Sequence, residues 1–237
     1  MDADPGAAGQ VVDCHFGALG RTNPSPYNNG EVGDSADEAL RLAVKESQFD
    51  GVVDDLVVAK DEPDRRLYVY QRGGRNYQAA IFRHGPATKG TGVGEDGLAW
   101  WLESYARCDI AEFPDERAEA SGWQVWTDSS GQRQPIHVIN SHEGAVCVEG
   151  ARFLEIGEGR PMGDVPVQYA ANASQFHNFF DEPYKPHITL PQDAVASPYR
   201  HGAERLWFSP DRRCAYVGTD PADVALWPKT TQHLGCA

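Results

Sequence analysis

Leu67-Tyr-Val-Tyr-Gln-Arg-Gly-Gly-Arg-Asn-Tyr-Gln-Ala-Ala-Ile-Phe82 is the stretch on which the fold turns. Two β-type runs, residues 67–70 and 77–82, flank Gly73-Gly74. That is hairpin chemistry, because glycine enters the positive-φ region at no steric cost. Upstream, Leu56-Val57-Val58-Ala59 is another short β-type run. Downstream, Leu98, Trp101, Leu102 and Tyr105 suit a helix, whereas two Trp and a Tyr suit a strand. We read 98–105 as a strand continuing the same sheet. Ser35 and Glu38 form a capping box, and Ala36, Ala39, Leu40, Ala43 and Val44 follow at helical spacing. This predicts a helix over about 36–48. Asp109 and Glu112 suit the cap of one short turn ahead of Pro114.

Residues 114–121 are polar and read as a connector between subdomains. Beyond them, 123–127 and 136–140 flank Asp128-Ser-Ser-Gly131, a second hairpin signal. Residues 151–156 read as a strand or a short helix, and 157–200 show little periodicity. Arg205-Leu-Trp-Phe208, Cys214-Ala-Tyr-Val-Gly218 and Val224-Ala-Leu-Trp227 predict a three-strand meander. Three strand–turn–strand segments recur, but their spacing is too uneven for a propeller or solenoid. The expected fold is β-rich α+β, with antiparallel meander sheets and one main N-terminal helix. The expected organisation is an irregular segment 1–34 with a short strand at 11–14, a helix-plus-sheet part 35–114, and a β-rich part 115–237.

The 237 residues include 21 basic and 35 acidic side chains, a formal charge of −14. Apolar residues at 41% and charged residues at 24% give a globular balance. The acidic excess argues against nucleic acid and against docking on anionic membranes, both of which need clustered Lys and Arg. No apolar run is long enough for a transmembrane helix.

Five cysteines, Cys14, Cys108, Cys147, Cys214 and Cys236, contain no C-x-x-C pair. Wide, irregular spacing fits long-range disulfides better than a zinc ribbon. The opening Met1-Asp-Ala-Asp-Pro-Gly-Ala-Ala-Gly9 has neither the basic nor the apolar region of a signal peptide. It resembles the small acidic spacer that follows an export signal or lipoprotein anchor, so an upstream export segment is expected to have been removed.

Arg107-Cys108-Asp109, Glu112-Phe113-Pro114, Val125-Trp126-Thr127-Asp128, Cys147, Tyr199-Arg200-His201-Gly202, Leu206-Trp207, Ala215-Tyr216-Val217, Trp227-Pro228 and Gly235-Cys236 together make a further pattern. Over about residues 56–237 the chain resembles a group of uncharacterised exported or lipoprotein-like actinobacterial proteins. The resemblance implies a secreted or cell-surface location and supports pairing of Cys108, Cys147 and Cys236, with partners it does not fix. It implies no activity, and Cys214 departs from the pattern. The expected bridges are Cys14 with Cys108 and Cys147 with Cys236, leaving Cys214 as a buried thiol.

Candidate chemistry is sparse. Pro186-His187-Ile-Thr189 resembles one half of the two-motif signature of 2H phosphoesterases, in which two imidazoles act as base and acid on a phosphodiester. The nearest second copy is His137-Val-Ile-Asn140, with Asn where a hydroxyl belongs. Gly92-x-Gly94-x-x-Gly97 satisfies a dinucleotide motif, but Glu95 and Asp96 would repel a pyrophosphate, and 85–97 reads instead as a mobile loop. His137, His142, Glu143 and Cys147 match no standard metal spacing, and no metal or other cofactor is expected. Phe176, Phe179, Phe180 and Tyr184 lie in a loop-like stretch suited to a protein or carbohydrate partner. The expectation is a non-enzymatic, extracytoplasmic binding or assembly domain. The alternative is a hydrolase using His187 and Thr189, with His137.

Overall fold

The structure is a computed structural model. It describes residues 4–22, 32–45, 55–87, 96–144, 150–158, 164–172, 178–180 and 182–234. The chain divides into two units, Met1–Glu112 and Phe113–Ala237. The fold is β-rich α+β, with three antiparallel sheets and few helices.

In the first unit the sheet contains β1 (Ala18–Thr22), β2 (Val57–Glu62), β3 (Arg65–Arg72), β4 (Arg75–Pro86) and β5 (Leu98–Cys108). Their order is β1-β5-β4-β3-β2. The hairpin between β3 and β4 turns on Gly73 and Gly74, both at positive φ. Stretch 98–105 is strand, as read. One sheet face presents Tyr68, Ala80, Phe82 and Leu102 to helix α2 (Ala36–Lys45), which answers with Ala36, Ala39, Leu40 and Ala43. The small side chains let helix and sheet approach closely. The other face presents Val69, Ala79, Ile81 and Ala106 to Ala8, on the short helix α1 (Gly6–Gly9), with Val11 and Val12.

The capping box forms in a displaced version. Ser35 Oγ accepts from the Glu38 N–H at 3.2 Å, but the Glu38 carboxylate reaches back to the N–H of Asp34. No strand forms at 11–14. Asp13 is taken instead by β4, exchanging backbone and side-chain bonds with Asn76 at 2.8 and 2.9 Å. The N-terminal strand is β1, which pairs with the far edge of β5. Asp109 caps the short turn Ile110–Glu112 as expected, through its carboxylate on the Ala111 N–H. Gly85 and Pro86 belong to β4, so this part of the expected mobile loop 85–97 is strand. Residues 88–95, with Gly92 and Gly94, lie outside the described residues.

The second unit opens with helix α3 (Asp115–Ala120), where a connector was expected. Its Asp-Glu-Arg-Ala-Glu-Ala sequence consists largely of good helix formers with acids in the first turn, where the helix dipole favours them. A four-stranded sheet follows: β6 (Trp123–Val125), β7 (Ile139–Glu143), β8 (Arg152–Ile156) and β9 (Val167–Ala171), in that order. Residues 136–138 are a turn, not the start of β7. A five-stranded sheet completes the unit: β10 (Lys185–Ile188), β11 (Val195–His201), β12 (Glu204–Phe208), β13 (Cys214–Asp220) and β14 (Asp223–Pro228). Its order is β10-β14-β13-β12-β11, so the predicted meander is present as β12–β13–β14. Strands β9 and β10 and most of β11 occupy the stretch 157–200, which shows little periodicity.

The two sheets of this unit share one core. Ile139, Leu154, Ile156, Tyr169 and Ala171 meet Tyr199, Leu206, Phe208, Ala215, Val217 and Trp227 around the buried Trp126. The Trp126 indole N–H donates to Ser141 Oγ at 3.0 Å, which satisfies its polar end inside the core.

Candidate functional site

Strand alternation decides which side chains share the outer face of the β6–β9 sheet. Ser141, Leu154 and Tyr169 are register partners and point into the core. Their neighbours along each strand therefore point outward. Asn140, Glu155 and Gln168 lie directly opposite one another across β7, β8 and β9. The next rung is Trp123, His142, Phe153 and Ala170. A polar rung thus sits beside an aromatic one.

Glu155 is the centre of the polar rung. Its side chain is only 12% exposed. Oε1 receives the His233 Nε2 at 2.9 Å, the Gln168 amide at 3.2 Å and the His142 Nε2 at 3.5 Å. The Asn140 amide N–H faces Oε2 at 3.4 Å and donates to the Ile136 carbonyl at 2.7 Å. Asn140 Oδ1 is buried with no hydrogen-bond partner among the described residues. The His142 ring lies between Trp123 and Phe153, with centroids 4.9 and 5.5 Å away, and its Nδ1 meets the Glu143 carbonyl at 3.0 Å.

Burial works against charge at both ends of this cluster, and in both cases the partners win. Burial alone would raise the Glu155 carboxyl, but His142 foremost, and then His233, bring it down to about 2. Burial alone would lower His142, but the Glu155 carboxylate and the Glu143 carbonyl raise it above its ordinary value of 6.5. The arrangement is a carboxylate held ionised between two imidazoles on the sheet face turned away from the Trp126 core.

Residues 229–234 form a strap over this face. Lys229 and Thr230 make β-bridges to Tyr169 and Phe180. The Thr230 N–H donates to the Gln168 carbonyl and the Thr231 N–H to the Phe179 carbonyl, both at 2.9 Å. The strap then turns onto the side chains. Gln168 reads the Leu234 backbone in both directions, accepting its N–H at 2.8 Å and donating to its carbonyl at 3.0 Å. The Leu234 side chain is buried against Ala151, Phe153 and Ala170, with Phe179 and Phe180 packed alongside.

Of the residues singled out in the sequence, Phe179 and Phe180 pair with the strap's backbone and pack, partly buried, beside Leu234, and Tyr184 packs against the main core. Phe176 lies outside the described residues. His187 stands on β10 with its side chain 78% exposed, its Nδ1 2.9 Å from the Asp223 carboxylate. Thr189 is exposed just after β10, and His137 is exposed in the turn before β7. Cys14 and Cys108 form a disulfide, and Cys214 is a buried free thiol, pushed up to about 11 chiefly by burial. Cys147 and Cys236 lie outside the described residues. Sulfurs of Cys14 and Cys108 converge with the Glu112 carboxylate, but the disulfide uses both sulfurs.

His142 stands out in the sequence beside His137, Glu143 and Cys147; the Glu143 carbonyl does meet it, His137 lies exposed in the turn before β7, and Cys147 lies outside the described residues. Asn140 was weighed only as a hydroxyl substitute, and Glu155, Gln168 and His233 were missed. The available signal was a charged residue inside the apolar run 151–156, where alternation puts Glu155 opposite in facing to Leu154 and Ile156.

Comparison of the chain with models of known protein families, with characterised proteins and with solved structures finds no match.

Proposed function

We propose that this chain is an extracytoplasmic, non-enzymatic binding domain. Its recognition face is the outer face of β7–β9, and its partner is an extended segment of a protein. The observation that carries the reading is the two-way hold of Gln168 on the Leu234 backbone, beside an apolar seat for the leucine side chain. A side-chain amide that reads main-chain N–H and C=O together recognises extended peptide whatever its sequence, and an adjoining seat adds preference for one residue. The chain's own strap displays the chemistry that fits: backbone pairing at Thr230, an imidazole on Glu155, then leucine. Asn140 Oδ1, which has no hydrogen-bond partner among the described residues, is a further acceptor in the same rung. The Cys14–Cys108 disulfide supports the location, because such bonds persist in oxidising compartments. Among the described residues no helix is long and apolar enough to cross a membrane.

The test is fluorescence anisotropy with a labelled synthetic peptide of residues 229–234. The receptor is a His233→Ala/Leu234→Ala variant, whose own strap is weakened. Saturable binding is expected, weaker to the wild-type protein and lost when Gln168→Ala is added. Absence of saturable binding to the folded double variant would refute the reading.

A further inference from the structure

We propose that a cavity on the outer face of the β10–β14 sheet binds a small aliphatic diamine, held by the carboxylates of Glu182 and Asp193 over the phenol of Tyr216. The site is separate from the β7–β9 face and does not depend on the peptide reading of that face.

Strand alternation creates the face. Along β13, Ala215 and Val217 pack into the core around Trp126, so Cys214 and Tyr216 point the other way. There they cluster with Trp207, Val224 and Leu226, and Ile188, Leu190 and Ala194 pack against them. Cys214 and Tyr216 also line a cavity of about 330 Å³, at the small end of the range that takes organic ligands. Glu182, Asp193, Asp211 and Arg213 stand around it.

Tyr216 is the group the fold leaves unsatisfied. The residue is 6% exposed, yet its hydroxyl has no hydrogen-bond partner among the described residues. Burial foremost pushes the phenol up, and the groups that add to the shift, Cys214, Asp193, Glu182 and Asp211, all line the cavity. The hydroxyl therefore faces the cavity, where a ligand can supply the partner that a buried tyrosine normally has. The carboxylates divide into used and free. Asp211 accepts from the Ser209 hydroxyl at 2.7 Å and from the Arg213 backbone N–H at 3.1 Å, and Arg213 Nε lies 3.6 Å from it. Glu182 and Asp193 are exposed and carry no hydrogen bond or ion pair among the described residues. Of the nearby cations, Arg213 is balanced by Asp211, and Lys185, which pulls the Cys214 thiol down, does not line the cavity.

These groups fit an organic cation better than a bare metal ion. Among the described residues, no three of the cavity's Cys, Asp and Glu side chains bring their ligand atoms within 4.8 Å of one another. A divalent ion needs such convergence, because it gathers its oxygens at about 2.0–2.6 Å. Two free carboxylates that do not form such a cage suit two ammonium groups, each a compact charge with three donors. One ammonium also gives the Tyr216 oxygen its donor. The aliphatic chain between the two covers the apolar floor of Cys214 and Tyr216, as the stem of a lysine covers apolar surface.

Isothermal titration calorimetry of the full chain with 1,5-diaminopentane at neutral pH tests the site. Saturable binding of a single diamine is expected. Glu182→Gln and Asp193→Asn should each weaken it about fivefold, the worth of one exposed ion pair, and the double variant about twenty-five-fold. Tyr216→Phe, which keeps the ring and removes the hydroxyl, should weaken it about tenfold. Both acids are exposed, so their amide variants should keep the fold, and an unchanged circular dichroism spectrum checks this. Pentylamine, with one ammonium group, should bind about fivefold more weakly than the diamine. Absence of saturable heat would overturn the proposal. So would an affinity unchanged in the double acid variant or in Tyr216→Phe, equal affinity for pentylamine, or calcium ions binding as tightly as the diamine.

Discussion

Cys14 is bonded to Cys108, the last residue of β5, across 94 positions of the chain. The bond fixes a segment without regular structure to the rim of the sheet. It does not act alone. Glu112, just past β5, accepts the backbone N–H groups of His15 and Phe16 at 2.8 and 2.9 Å and pairs with Arg75. A covalent tie and a buried carboxylate thus secure the same few residues.

Replacing Cys14→Ser and Cys108→Ser should cost about 4–5 kcal/mol, since a loop of this length removes that much entropy from the unfolded chain. Urea denaturation of the double variant against the wild type measures it. A midpoint unchanged by the substitutions would mean that Glu112 and the strand pairing suffice.

Glu112→Ala should be costly for a different reason. The side chain is 2% exposed, and its removal leaves two backbone donors and the Arg75 Nη2 without their acceptor, while Arg75 Nε keeps the Asp13 carbonyl. A loss of about 3–5 kcal/mol is expected. Arg75→Ala should cost less, because Glu112 keeps both backbone donors. Chemical denaturation of the two variants gives the order.

Thiol titration of the unfolded, unreduced protein should count one group, Cys214. A count of three would leave Cys14–Cys108 as the sole bridge, and a count of five would remove the case for an oxidising compartment. In the native protein Cys214 should resist alkylation at neutral pH, because burial holds its thiol up at about 11 and its residue is 3% exposed.

Glu155→Gln should destabilise the second unit in a pH-dependent way. The wild-type carboxyl is held near 2, below its ordinary 4.5, so its contribution is present above 4.5 and lost as pH falls toward 2. The gap in unfolding free energy between wild type and variant should be roughly 2–3 kcal/mol at neutral pH and should close in acid. A gap that stays constant from neutral pH down to strong acid would show that the ionised form is not what the site stabilises.

Much of the sheet architecture was legible in local chemistry. Gly73-Gly74 announced the β3–β4 hairpin, and the alanine spacing of 36–43 announced α2, because turn geometry and helical period are properties of neighbouring residues. What escaped was non-local. Strands β9, β10 and β11 carry little periodicity of their own; β10 is a largely exposed edge strand and β11 opens with exposed residues. The site was invisible for the same reason. Glu155 and His233 are 78 positions apart, and nothing in either neighbourhood predicts the meeting. The aromatic stretch near 179–184 was noticed for its composition. That composition did not reveal that Phe179 and Phe180 pair with the strap, which also pairs with β9 at Tyr169.

The division of β8 into an inner face of Leu154 and Ile156 and an outer face of Phe153 and Glu155 has a consequence for how the chain finds its fold. A strand that slips by one position exchanges its faces. Here the error would carry a carboxylate in among Trp126, Tyr169 and Phe208, and would strand Leu154 in the polar rung between Asn140 and Gln168. An apolar β8 could tolerate such a misalignment as a low-lying trap. With Glu155 in place the misaligned pairing is penalised twice, once by an unsolvated charge and once by the orphaned amides. The acid thus proofreads the strand alignment before it has any ligand to answer to.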